Sequence, residues 1–387
     1  MTTKTGSIPF TGIPFPNDEY HRRCEKVFKA MERDGLDALL VTSHNHLRYL
    51  TGYSGYGGYF MPFPLVMVTG HAPTYVVREY EETGVRADSC IEEIVTYTHQ
   101  PDWARATADV LRRYGVANKR VGLQLDLWNL APKDVADLQA QLPLMKIVDA
   151  SRLVPKIAAV KSDLELKAIR EAMGYTDIAI RTFQSSIHSG VTEQEVGNAI
   201  AHEVAKSGGA LWTPSTNIMF GERTKVPHGV PMPHPINKNE PAMIEVGGTK
   251  SGYAVGIVRS AVLGRHHEAE AVHALAVEAL EAACAVIKAG ATASSIDAAA
   301  RKVVARSQLP RGMRHRAGYH TGPNWGGRGN LSLEPESPDV LETNMTFHLP
   351  IILFGDSDIM IGCSEHVLVT DTGCEILAKT PHTLHFA

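Results

Sequence analysis

The sequence predicts a two-domain protein, with an α/β domain over residues 1–158 followed by an α+β domain over 159–387. In the second, two pseudo-symmetric helix pairs pack on a curved antiparallel sheet. Three observations lead there. Short apolar runs alternate with amphipathic stretches through about the first 150 residues, the texture turns helical after Lys156, and one helix-turn-helix segment occurs twice, 100 residues apart.

In the first domain LDALLVTS, PLVMVTG, IEEIVTYT, RVGLQLDL and MKIVDAS have the apolar, β-branched character of buried strands, and helical spacing falls near 19–34, 102–115 and 131–141. Beyond Lys156, SDLELKAIREAMGYTDIAIRTFQSSI carries apolar residues at helical spacing behind Ser162 or Asp163, either of which satisfies free N–H groups of a first turn. The second domain opens there. Residues 187–207 align without gaps on 287–307, with seven identities that include the Gly190/Gly290 and Thr192/Thr292 pairs. Each copy predicts a helix ending at glycine and a threonine capping the next helix. Longer helices, 163–186 and 266–287, precede the copies, and strand-like segments follow them.

Composition narrows the function classes. A 387-residue chain with 44% apolar content is long enough for two substantial cores. A net charge of -4, with Lys and Arg scattered, leaves no footprint for nucleic acid or an anionic membrane. The N-terminus lacks a continuous apolar signal segment and no window suits a membrane helix, so a cytoplasmic location is expected. Five cysteines without a CxxC pair predict reduced thiols and no structural zinc. The sequons at Asn330 and Asn344 are expected to be chance in such a chain. HExxH, GxSxG, P-loop and GxGxxG patterns are missing from the sequence, which removes support for zincin, serine hydrolase and nucleotide-dependent readings.

The hairpin MIEVGGTKSGYAVGIVRSAVLG (243–264), the run HRAGYHTGPNWGG, the run MTFH and the terminal SEHVLVTDTGCEIL together resemble the pita-bread superfamily of creatinase, prolidase and aminopeptidase P. The likeness covers nearly the whole chain. Within it the nearest resemblance is to the ectoine hydrolases, through Glu245, Gly318-Tyr319, Met345-Thr346-Phe347-His348 and Glu365. The resemblance puts the family's five metal ligands at Glu245, Gly256, Tyr319, Pro350 (or Leu349) and Glu365. Two carboxylates without imidazole or a third carboxylate make a poor transition-metal site, so metal-independent action without a cofactor is implied. His320 and His228 leave a rebuilt mononuclear site open as an alternative.

Candidate chemistry follows from the residue types. His228, in KVPHGVP, matches the proton-shuttling histidine of creatinase-like enzymes, and imidazole suits a proton taken and returned near neutrality; His234 is its rival in the same loop. Glu245 and Glu365, expected on adjacent strands, would repel unless a cation lay between them or one held a proton, which suggests an amidinium or guanidinium group; the alternative is that either is neutralised internally, for example by Arg259 on the paired hairpin strand. Tyr319, His320, His348 and Trp325 are expected to line the substrate site, with His348 on the same sheet face as Thr346 and Pro350. The resemblance further implies a homodimer in which the aromatic loop YLTGYSGYGGYFMPFP brings Phe60 to the partner's site. Pro62 replaces a carboxylate-binding arginine of creatinase there. The expected activity is hydrolysis of a carbon-nitrogen bond in a small cationic or zwitterionic, nitrogen-rich solute, with ectoine ring opening foremost. Creatine or another guanidino or amidine substrate, a metal-dependent Xaa-Pro peptidase, and a non-catalytic small-cation binder are the alternatives.

Overall fold

In the computed structural model, which describes residues 12–55, 61–212, 216–323 and 325–387, the chain forms two compact units, Met1–Ala158 and Ala159–Ala387. The first unit is a six-stranded mixed sheet. Its strands are β1 (Ala38–Val41), β2 (Leu65–Val68), β3 (Thr74–Arg78), β4 (Glu93–Tyr97), β5 (Arg120–Leu123) and β6 (Lys146–Asp149), in the order β4-β3-β2-β1-β5-β6. Helices α1 (Asn17–Arg33), α2 (His44–Thr51), α3 (Glu82–Asp88), α4 (Asp102–Arg113), α5 (Pro132–Gln141) and α6 (Leu153–Ala159) accompany it. Strand β3, TYVVR, and helices α2 and α3 are elements that the periodicity alone does not predict. β3 pairs antiparallel with β2 after a short turn, so it extends the sheet without a crossover helix of its own.

The second unit opens with α7 (Asp163–Ser186) and α8 (Glu193–Lys206) and is built around strands β7 (Ala210–Leu211), β8 (Asn217–Phe220), β9 (Glu240–Lys250) and β10 (Tyr253–Leu263). Then come α9 (His267–Val286), α10 (Ala293–Ala305), β11 (Gly318–His320), β12 (Ser332–Leu333), β13 (Thr346–Phe354), β14 (Met360–Val369), β15 (Cys374–Ile376) and β16 (His385–Phe386). The repeat is explicit in the backbone. Thr192 and Thr292 cap α8 and α10 by accepting from Glu195 N and Ser295 N. Gly190 and Gly290 take φ of 84° and 83°, a left-handed turn that a Cβ would oppose. Their N–H groups donate to Ile236 and Leu341 carbonyls in equivalent places. Each preceding helix stops at Ser186 or Val286, a few residues before the glycine, because the glycine turns the connecting loop and does not end the helix.

The strands form two five-stranded sheets, β16-β10-β9-β7 with β8 on β9, and β12-β11-β13-β14-β15. They meet where β10 lies against β14, through side chains and not a backbone ladder. Ser260 Oγ donates to Gly362 O (2.8 Å), Arg259 Nη1 to Ser364 O (2.6 Å), and Val258 N to Ser364 Oγ (2.6 Å). On β13 and β14 the residues Phe347, Leu349, Ile351, Ile361, Cys363 and Val367 enter the core shared with α9 and α10. The alternate residues turn to the opposite face, which carries the site. Among the described residues no helix is long and apolar enough to cross a membrane.

Candidate active site

A cavity of about 340 Å³ opens on that face of the second unit. Met219, Met243, Met360, Ile352 and Phe354 give it an apolar wall, and its polar groups are Asn217, His228, Glu245, Tyr319 and the consecutive residues Arg314, His315 and Arg316.

Glu245 reaches the cavity from the middle of β9, where residues of one parity face inward and Val258 lies opposite in register. Asn217 Nδ2 donates to its Oε2 (3.1 Å). Burial pushes the Glu245 carboxyl above the usual carboxylate range, against the opposing effects of Asn217 and of His228. His228 is exposed and sits on a turn at φ 55°, a conformation uncommon for a residue with a Cβ. The turn is held on both sides. Buried Glu193, in the first turn of α8, accepts from Phe220 N (2.9 Å), Arg223 Nε (2.9 Å) and Met232 N (2.8 Å), and Arg223 Nη2 donates to Val230 O (2.8 Å). Ile218 N donates to Gly229 O (3.3 Å), docking the turn on β8.

Behind Tyr319, Gly247 and Gly256 face each other across the β9–β10 hairpin, and the indole of Trp325 lies on both. A Cβ at either glycine would overlap the indole ring. Trp325 Nε1 donates to Tyr319 Oη (2.7 Å), which in turn bonds His348 Nδ1 (3.0 Å). His348 Nε2 bonds Ser364 Oγ (2.9 Å). His348 is fully buried, which holds its imidazole well below its ordinary range and therefore neutral. Burial likewise pushes the Tyr319 phenol far up, so it keeps its proton.

The structure corrects several expectations. Glu365 faces the other side of β14 from the cavity and does not lie on a strand adjacent to Glu245, because the two carboxylates belong to different sheets. Fully buried, it accepts from Arg259 Nη2 (2.6 Å) and pairs with His382 Nε2 (2.8 Å). Ser364, one residue earlier, occupies the inward position. A one-residue step along a strand reverses the face, and this accounts for the displacement. His320, next to Tyr319, also points away: its Nε2 lies 2.7 Å from Lys161 Nζ, and burial pushes that lysine down to about 7. His234 does not line the cavity, and its carbonyl accepts from Glu193 N (3.1 Å). Pro350, and not Leu349, faces the cavity. Phe60 lies outside the described residues. Tyr319 and His228 stand at the cavity with Glu245, while His348 and Trp325 lie behind Tyr319. Asn217, Arg314, Arg316 and Ser364 are the participants that motif reading misses; strand parity marks Ser364, and no local pattern marks the others.

A divalent metal does not fit these residues. The cavity presents Glu245, Tyr319 and Pro350, and the indole of Trp325 covers Gly256. Among the described residues no three His, Cys, Asp or Glu side chains stand together as a metal site. Replacing Gly256 with Asp is therefore expected to leave the purified protein without stoichiometric metal by elemental analysis. It should also cost about 1–3 kcal/mol of stability or more in denaturant unfolding, since the new side chain must displace Trp325.

Comparison with known proteins agrees with this architecture. The model of metallopeptidase family M24 matches residues 167–371, and that of the creatinase/prolidase N-terminal domain matches 23–160. An uncharacterized hydrolase/peptidase (y4tL) of Sinorhizobium fredii is 30% identical over 96% of this chain and 97% of its own length. The ectoine hydrolase of Halomonas elongata is 28% identical over 96% and 98%. Among solved structures, dipeptidase PepE from Mycobacterium ulcerans superposes with a TM-score of 0.86 at 22% identity, covering 96% of this chain and 99% of that one.

Proposed function

As the chain belongs to metallopeptidase family M24, with a creatinase/prolidase N-terminal domain ahead of the catalytic fold, we propose that it is a metal-independent hydrolase of a non-peptide carbon-nitrogen bond. Its substrate is a small zwitterionic solute, and ectoine ring opening is the leading reaction. The observation that carries this reading is a small cavity in which one buried carboxylate, Glu245, faces one histidine, His228, while Trp325 occupies the ground a second hairpin carboxylate would need. Glu365 lies outside the site, so it takes no part in binding the cation. One carboxylate now serves a cationic amidinium, and Arg314 and Arg316 on the cavity wall suit the carboxylate of the same molecule.

In this mechanism Glu245 accepts the amidinium N–H groups and orients the ring. His228 takes a proton from water as it adds to the amidinium carbon. The tetrahedral carbon then expels one ring nitrogen as the carbon-nitrogen bond breaks, and His228 returns the proton to that nitrogen. The hydroxyl proton passes to the freed amine as the amide carbonyl forms, and the ring opens to an N-acetyl diamino acid. We place the enzyme in the cytoplasm as a homodimer, in line with its five free cysteines and its family.

The test is direct incubation of the purified protein with ectoine, creatine and an Xaa-Pro dipeptide, with products followed by mass spectrometry. Ring-opened ectoine alone is the expected result. Creatine or dipeptide cleavage in its place would overturn the substrate assignment.

A pH prediction follows from Glu245. Its carboxylate form is required, so the acid limb of kcat/KM should lie above the ordinary carboxylate range, because burial raises this group. Asn217 opposes that shift, hence Asn217→Leu should move the limb to higher pH. Stability has the opposite preference. A carboxyl raised in the folded state binds protons more tightly there than in the unfolded chain, so the stability is present below the unfolded value and lost as pH rises through the folded one. Glu245→Gln should therefore raise Tm at pH 7 while removing activity, as thermal melts at pH 5 and pH 7 would show.

A further inference from the structure

The bonds behind Tyr319 fix where its proton goes. Ser364 Oγ is buried, accepts from Val258 N at 2.6 Å and bonds His348 Nε2 at 2.9 Å; it has no other partner among the described residues. Two arrangements satisfy these distances. In one, His348 carries its proton on Nε2 and donates to Ser364, and Tyr319 then donates to Nδ1. That leaves the serine hydroxyl proton buried without an acceptor, at a cost of about 1–3 kcal/mol. In the other, Ser364 donates to Nε2 and His348 donates from Nδ1 to Tyr319 Oη, which also accepts from Trp325 Nε1 at 2.7 Å. Every buried donor then has an acceptor. The single proton left over is that of Tyr319, and this residue lines the cavity together with Glu245.

We propose that Val258, Ser364 and His348 form a one-way hydrogen-bond chain that makes Tyr319 an obligate donor into the cavity, creating an oxyanion subsite beside Glu245. Both acceptor positions of the phenol oxygen are taken by Nε1–H of Trp325 and Nδ1–H of His348, so Tyr319 cannot accept from a ligand. Arg316 lies with its guanidinium 4.7 Å from the Tyr319 ring centroid and donates from Nη1 to Ser332 Oγ (3.0 Å), adding positive potential at the same wall. The ligand group this subsite takes is a carboxylate or the oxygen that develops on a carbon under attack. On the hydrolase reading above, that is an oxygen of an amino-acid-like substrate whose cationic nitrogen rests on Glu245. Tyr319 touches the substrate; His348 and Ser364 are positioning residues.

Neutron diffraction of the perdeuterated full-length protein tests the chain without reference to any substrate. Deuterium is expected on His348 Nδ1, on Ser364 Oγ directed at His348 Nε2, and on Tyr319 Oη directed into the cavity. Deuterium on His348 Nε2, with Tyr319 donating to Nδ1, would overturn the proposal. Kinetics with ectoine give the second measurement. Tyr319→Phe should lower kcat by about 100-fold and Ser364→Ala by about tenfold. The double variant should be no slower than Tyr319→Phe alone, since both act through one proton. Multiplicative losses in variants that melt like the parent would contradict the chain. Failure of the unmodified protein to open ectoine would reject the ectoine reading, and the neutron map would still decide the proton positions.

Discussion

Substitution of His228 by asparagine is expected to lower turnover of ectoine by about 10²–10⁴-fold while leaving the melting temperature unchanged. Asparagine is the informative replacement because the residue sits at φ 55°. Asn visits the left-handed region readily, whereas alanine carries a penalty of roughly 1–2 kcal/mol there and would mix a backbone effect into the result. The scaffold around the turn remains, since its staples run to Glu193 and to β8 and not to the imidazole. Loss of activity without loss of stability would mark a proton carrier. Activity retained within a few fold would remove His228 from the mechanism and return attention to the Glu245 carboxylate.

The second large effect concerns stability. Replacing Glu365 by alanine leaves the Arg259 guanidinium buried without its carboxylate, and breaking a pair of this kind costs about 3–5 kcal/mol. For a unit of this size that corresponds to a fall in Tm of roughly 10 °C, measurable by calorimetry. Arg259 retains the carbonyls of Ser364, Pro381 and Thr380, so the strand should stay in place. Replacing both members together, Arg259→Met with Glu365→Leu, should recover only part of the loss: neither charge is then stranded, but the carbonyls of Ser364, Pro381 and Thr380 lose their donor. The folded Glu365→Ala protein should keep kcat/KM within a few fold of the parent. A catalytic Glu365 would show the reverse, with normal stability and no turnover.

How much of this was legible in the sequence depends on the range over which each feature is encoded. Thr192, Thr292 and Ser162 act on N–H groups three residues away, so caps and helix starts can be read locally. The hairpin through Gly256 likewise states its own register. Glu365, a carboxylate in an apolar strand, invites a functional reading, although it shares parity with the core residues Ile361, Cys363 and Val367. Arg259, which lies 106 positions away, can be named from the sequence as a neutralising partner, but only the fold selects Glu365 over Glu245 for it. Asn217, Arg314 and Arg316 reach the cavity from segments whose meeting is set by the β10–β14 seam, and nothing in their own neighbourhoods announces it. β3 is illegible for a simpler reason: five residues behind a short turn carry too little periodicity.

The stack of Trp325 on Gly247 and Gly256 has an evolutionary corollary. An aspartate introduced at 256 meets the indole, and removal of the indole alone opens a void and strips Tyr319 of a donor. Each single step is harmful while the other is pending, so the fitness of one depends on the other. Selection acting one mutation at a time would therefore refine the present stack of glycines and indole more readily than install a carboxylate at 256.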